Sequence, residues 1–77
     1  MNNTRRNHIG KIIEELERLK EDIDCLKDEE QECYDNLPES LQYSEKGENM
    51  EEAIDNLESA FSSLEEAIDY LDDAIGC

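Results

Sequence analysis

The sequence predicts an all-α protein: an antiparallel helical hairpin of two long, heptad-patterned helices that dimerises into a four-helix bundle. Three observations carry that expectation. The last third repeats every seven residues, as AIDNLES, AFSSLEE, AIDYLDD and AIGC. The first half carries its own heptad pattern from Ile9 to Leu37. Between the two lies a short polar connection holding the only proline, Pro38. Apolar residues that recur at steps of three and four line one face of a helix. Two helices joined by a short connection pack antiparallel.

The first helix is expected over about 4–36. Ile9, Leu16, Ile23, Glu30 and Leu37 fall at heptad position a, and Ile12, Leu19, Leu26 and Cys33 at d. Only Glu30 interrupts this seam, where the helices are expected to splay toward the loop. Ile13 and Tyr34 widen the stripe. Thr4 or Asn3 can cap the start, and Arg5 and Arg6 are expected to fray. Pro38 stops the helix near Asn36, because the residue before a proline avoids helical angles.

The connector covers 37–47. Asn36 and Glu39 have the spacing of a capping box around a short turn. Leu41 and Tyr43 are expected to fold back onto the helix ends. Ser44 can cap the second long helix, expected over about 48–75, although Gly47 weakens its first turn. Gly76 ends it.

The second long helix has three apolar columns. Ala53, Ala60, Ala67 and Ala74 form one, Ile54, Phe61, Ile68 and Ile75 the next, and Leu57, Leu64 and Leu71 the third. A two-stranded coil needs two columns. The all-alanine column suits close approach by another helix, so Ala53, Ala60, Phe61, Ala67 and Ala74 are the expected oligomer interface. The competing reading is a monomeric hairpin with its alanine stripe in water.

One small domain, residues 1–77, accounts for the whole length. With 23 acidic residues against seven Lys plus Arg, the formal net charge is −16. Such a chain is repelled by nucleic acid and by anionic membranes, and its natural partners are basic surfaces. No apolar run is long enough to span a membrane, and the start MNNTRRNHIGKII lacks the apolar region of a secretion signal. Cys25, Cys33 and Cys77 read as reduced thiols in a cytoplasm, since Cys25 and Cys33 lie ~12 Å apart along one helix. Cys33, at a d position, reads as a small buried hydrophobe.

No Lys or Arg follows Lys46. The acids Glu51, Glu52, Asp55, Glu58, Glu65, Glu66, Asp69, Asp72 and Asp73 spread over ~33 Å of helix, about one charge per 3.7 Å. One strand of duplex DNA carries a charge per ~3.4 Å. In the first helix Glu14–Arg18, Glu17–Lys20 and Asp24–Lys27 pair acids with bases. In the second, Glu51–Asp55, Asp55–Glu58, Glu65–Asp69, Asp69–Asp72 and Asp69–Asp73 repel, each costing ~0.2–0.5 kcal/mol. That accumulated cost points to a cationic partner. Glu51, Asp55, Glu58, Glu65, Asp69 and Asp72 are the expected partner contacts, divided by a neutral waist of Asn56, Ser59, Ser62 and Ser63.

Chemistry is not expected. A rod offers no cleft to separate the pKa values of two carboxylates. His8 has no nucleophile held beside it, and one histidine with these cysteine spacings builds no zinc site. The acids lack the DxDxDG spacing of a calcium loop. The expectation is therefore a non-enzyme without cofactor or metal.

The stretch DEEQE at 28–32, the connector DNLPESLQ at 35–42 with Ser44 and Glu45, and the AI-x-x-L-E repeat together resemble small acidic helical proteins carried by phages and mobile elements of Gram-positive bacteria. The resemblance implies an accessory protein of the DNA-mimic or anti-defence type, as anti-CRISPR proteins are. It implies action in a host bacterial cytoplasm by occupying a basic, nucleic-acid-binding surface of another protein. The contrasting expectation is a coiled-coil assembly adaptor or spacer whose alanine column is the working surface.

Overall fold

The computed structural model describes all 77 residues and contains three helices and no strand. Helix α1 spans Asn3–Asp35, a four-residue helix α2 spans Glu39–Gln42, and α3 spans Glu45–Gly76. The hairpin measures 58 × 15 × 12 Å. Its thinnest dimension is the diameter of one helix, ~10–12 Å.

Each terminus has a chemical cause. Asn2, one residue before the expected caps, starts α1: its side-chain oxygen accepts from the Arg5 backbone N–H at 2.8 Å. Arg5 and Arg6 are consequently helical rather than frayed, and Arg6 donates to Asn3 Oδ1 at 3.3 Å. Pro38 ends α1 as expected, with Asn36 as its C-cap. That role takes Asn36 away from the expected capping box. Pro38 precedes α2, with no side-chain hydrogen bond at its start.

Gln42 ties the connection together. Its side-chain amide donates to the Tyr34 and Leu37 carbonyls at 3.2 and 3.3 Å; the Tyr34 carbonyl also accepts from the Leu37 backbone N–H at 3.0 Å. Leu41 and Tyr43, expected to fold inward, stand in solvent, 43% and 79% exposed. Ser44 caps α3 by accepting from the Gly47 backbone N–H. The helix accordingly begins at Glu45, three residues before the expected start. Glu45 and Glu48 sit in the first turn, where the helix dipole favours anions.

Gly47 is buried. A Cβ there would lie 2.2 Å from the Gln42 carbonyl oxygen and 2.6 Å from that of Leu41. The glycine read as a weak point in the first turn is the position where α2 meets α3.

The seam between α1 and α3 is rotated from the expected one. Ile13, at position e, is buried, and Lys20, Lys27 and Tyr34 of the same column are half-buried beside the a residues. The d residues Ile12, Leu19 and Leu26 are 38%, 45% and 52% exposed, and Cys33 is exposed with them. The stems of lysines can cover apolar surface while their charges reach water. Here Lys20 lies over the Phe61 ring at 5.2 Å. The helices also stay packed beyond Glu30, because Tyr34 donates to Glu51 across the seam.

On α3, Ile54 and Ile68 are buried against α1, and their column is taken as position a. The alanines are then g and the leucines d, both half-buried. Every acid from Glu48 to Asp73 falls at b, e or f. Position c carries Asn49, Asn56, Ser63 and Tyr70, so a, c, d and g form one uncharged arc.

Candidate partner-binding surfaces

The hairpin has two long surfaces of opposite character. The Tyr34–Glu51 hydrogen bond, 2.5 Å long, fixes their arrangement. Both residues lie at e, so the e columns of the two helices share one edge of the seam. On each helix d turns the other way from a. The exposed Ile12, Leu19 and Leu26 of α1 and the leucine and alanine columns of α3 therefore share the opposite side.

The first surface is acidic. Glu51, Asp55, Glu58, Glu65, Asp69 and Asp72 are all exposed, at e and b of α3. Five of the six have no side-chain partner; Glu51 alone accepts a hydrogen bond, from Tyr34. That bond, followed by partial burial and the charge of Glu51, pushes the Tyr34 phenol up to about 12. The single ion pair of the molecule is Lys27–Asp24 at 3.8 Å within α1. Glu14–Arg18 and Glu17–Lys20, expected from spacing, do not close. Lys20 instead sits over Phe61. The neutral waist opens as a shallow depression lined by Asp55, Glu58, Ser59, Ser62 and Ser63.

The second surface is apolar, uncharged on α3 and bordered on α1 by Glu15, Asp22 and Glu29 at g. Ala53, Ala60, Ala67 and Ala74 lie on it, each half-buried. Phe61, grouped with them in the expected interface, belongs to the α1–α3 seam under Lys20. Ile12, Leu19 and Leu26, expected in the seam, stand exposed on this side. Their signal was present in the e column of α1: Ile13, the lysine stems and Tyr34 can close the seam without d.

No three His, Cys, Asp or Glu residues converge in a geometry that holds a metal ion. His8 lies beside Thr4, Asn7 and Lys11 in an open polar depression that holds no Ser or Cys. No helix is long and apolar enough to cross a membrane. No protein-family model, curated protein or solved structure matches the chain.

Proposed function

We propose that this protein is a dimeric acidic module that occupies a basic, nucleic-acid-binding surface of another protein, as a DNA mimic or an inhibitor of host defence does. The observation that carries this reading is the acidic row of α3. From Glu48 onward the helix has no base of its own, and α1 neutralises none of these carboxylates, the one ion pair lying inside α1. Charge held in an ordered row, unpaired and exposed, is suited to meeting a positive surface.

The test is capture of partners from host lysate by the wild type and by a variant with Glu58, Glu65 and Asp69 all changed to Lys. Wild type should retain a basic protein at low salt and release it at high salt. The charge-reversed variant should retain none while keeping its helicity by circular dichroism. Equal retention by both proteins would refute the reading.

The assembly-adaptor reading draws on the exposed Ile12, Leu19 and Leu26. Under it, Ala60→Glu or Ala67→Glu abolishes assembly and activity together, and reversal of the acidic row is tolerated.

A further inference from the structure

We infer that two copies of this chain pair through the apolar side of the hairpin about a two-fold axis, α1 lying antiparallel on α1 of the second copy and α3 on α3. The inference rests on the dimer reading above and specifies its surface and pairing.

The area comes first. The hairpin exposes 5743 Å². A globular monomer of 8.9 kDa exposes about 4,800 Å². The excess, roughly 900 Å², is close to the ~800 Å² that each partner buries in a stable interface. No side chain of the hairpin is fully enclosed. A second layer on the apolar side supplies the covering that a domain core requires.

The face is also self-complementary. Ile12 and Leu26 lie seven residues either side of Leu19. On α3, Leu57 and Leu71 lie seven residues either side of Leu64. Lys20 over Phe61 shows which residues of the antiparallel pair are level, so Leu19 stands within a turn of Leu64. One axis crossing the hairpin at that height superimposes both patterns on themselves. Leu19 meets Leu19, and Ile12 meets Leu26.

Charge selects this pairing. Arg5 and Lys11 border the apolar face at one end of α1, and Glu29 and Glu32 at the other. Antiparallel α1 helices centred on Leu19 bring Arg5 of one copy within two residues of the level of Glu32 of the other, Lys11 likewise of Glu29, and Arg18 of Asp22; these attractions outnumber the repulsions, Glu15 against Asp22 and Arg18 against Arg18. On α3 the border is the neutral column Asn49, Asn56, Ser63 and Tyr70, so two strongly acidic helices approach without opposing their carboxylates. The alanines allow close contact, and the acidic rows remain outside. Placing α1 on α3 of the second copy would set Lys11 beside Tyr70 and Leu71, Arg5 beside Gly76 at the end of α3, and Glu29 and Glu32 beside Asn49 and Ala53. No opposite charges would then meet.

The experiment has two readouts on the full chain. Light scattering should give twice the 8.9 kDa chain mass; a monomeric mass at micromolar concentration overturns both the dimer and its geometry. Leu26→Glu, at a site exposed in the hairpin, should halve that mass, and a persistent dimer overturns the proposed surface. The pairing is read by Leu19→Cys in a background carrying Cys25→Ser, Cys33→Ser and Cys77→Ser. Facing Cα atoms of helices ~8–10 Å apart come within disulfide reach, so mild oxidation should convert the variant to a covalent dimer. A dimeric mass without that cross-link overturns the α1-on-α1 pairing while leaving the dimer standing. Recovery of monomer with a bound heterologous protein overturns the self-pairing outright.

Discussion

Two glycines in helices should respond to alanine in opposite directions. At Gly10 an added Cβ meets nothing within 4 Å. Gly10→Ala should therefore stabilise by ~0.5–1 kcal/mol through helix propensity. At Gly47 the same methyl meets backbone carbonyls of α2, which cannot rotate away as a side chain can. Gly47→Ala should destabilise by about 1–3 kcal/mol, the usual cost of forcing atoms into a filled space. Denaturant midpoints of the two variants check both signs; a stabilised Gly47→Ala would show that α2 does not press on α3. Tyr34 gives a pH prediction. Its pKa is raised from 10.0 to about 12, mainly because the phenol donates to Glu51. The folded state thus favours the protonated phenol. The resulting stability is complete below the ordinary value near 10 and is lost as pH rises through 12. The phenolate absorbance missing from Tyr34→Phe should appear near pH 12 in the wild type. Its appearance near 10 would mean that the bond to Glu51 is not made in solution.

The long helices differ in what their sequences ask of the solvent. Helix α1 mixes acids and bases, and its lysine stems help cover the seam. Helix α3 tolerates repulsion along its length, and its last turn holds Asp72 and Asp73 where the dipole opposes anions. The Glu58, Glu65 and Asp69 to Lys variant should consequently be more stable than the wild type. It turns Asp55–Glu58, Asp69–Asp72 and Asp69–Asp73 from repulsive to attractive, together roughly 1–2 kcal/mol, while lysines at 65 and 69 repel as the acids did. A higher melting temperature with lost partner capture would place the row under selection for binding, because stability alone favours the lysines. A lower melting temperature would mean that these acids make contacts that stabilise the fold.

At the scale of the whole molecule, shape governs. The radius of gyration is 17.4 Å, against about 11.5 Å for a compact 77-residue domain. A rod one helix thick cannot surround its apolar residues, and only Ile13, Ile54 and Ile68 form a buried hydrophobic core. In the proposed dimer, pairing contributes to folding itself, and stability is linked to chain concentration. The melting temperature should rise as the protein is concentrated from the low to the high micromolar range. A concentration-independent transition would assign all the stability to the single hairpin.

By itself the sequence determined the two long helices, the stop of α1, the cap of α3 and their antiparallel order. Heptad spacing, Pro38 and the Ser44 cap are local signals that act within a few residues. It also determined the unbalanced charge of α3, which needs no fold to be counted. Only the tertiary structure decided which columns meet. Rotating α1 by one heptad column leaves its pattern unchanged yet exchanges Ile12, Leu19 and Leu26 for Ile13, Lys20, Lys27 and Tyr34 in the seam. That choice depends on lysine stems and a tyrosine finding cover and a hydrogen bond on the other helix. Periodicity along one helix cannot register such contacts. The same holds for Gly47, whose value lies in the space that α2 leaves above it.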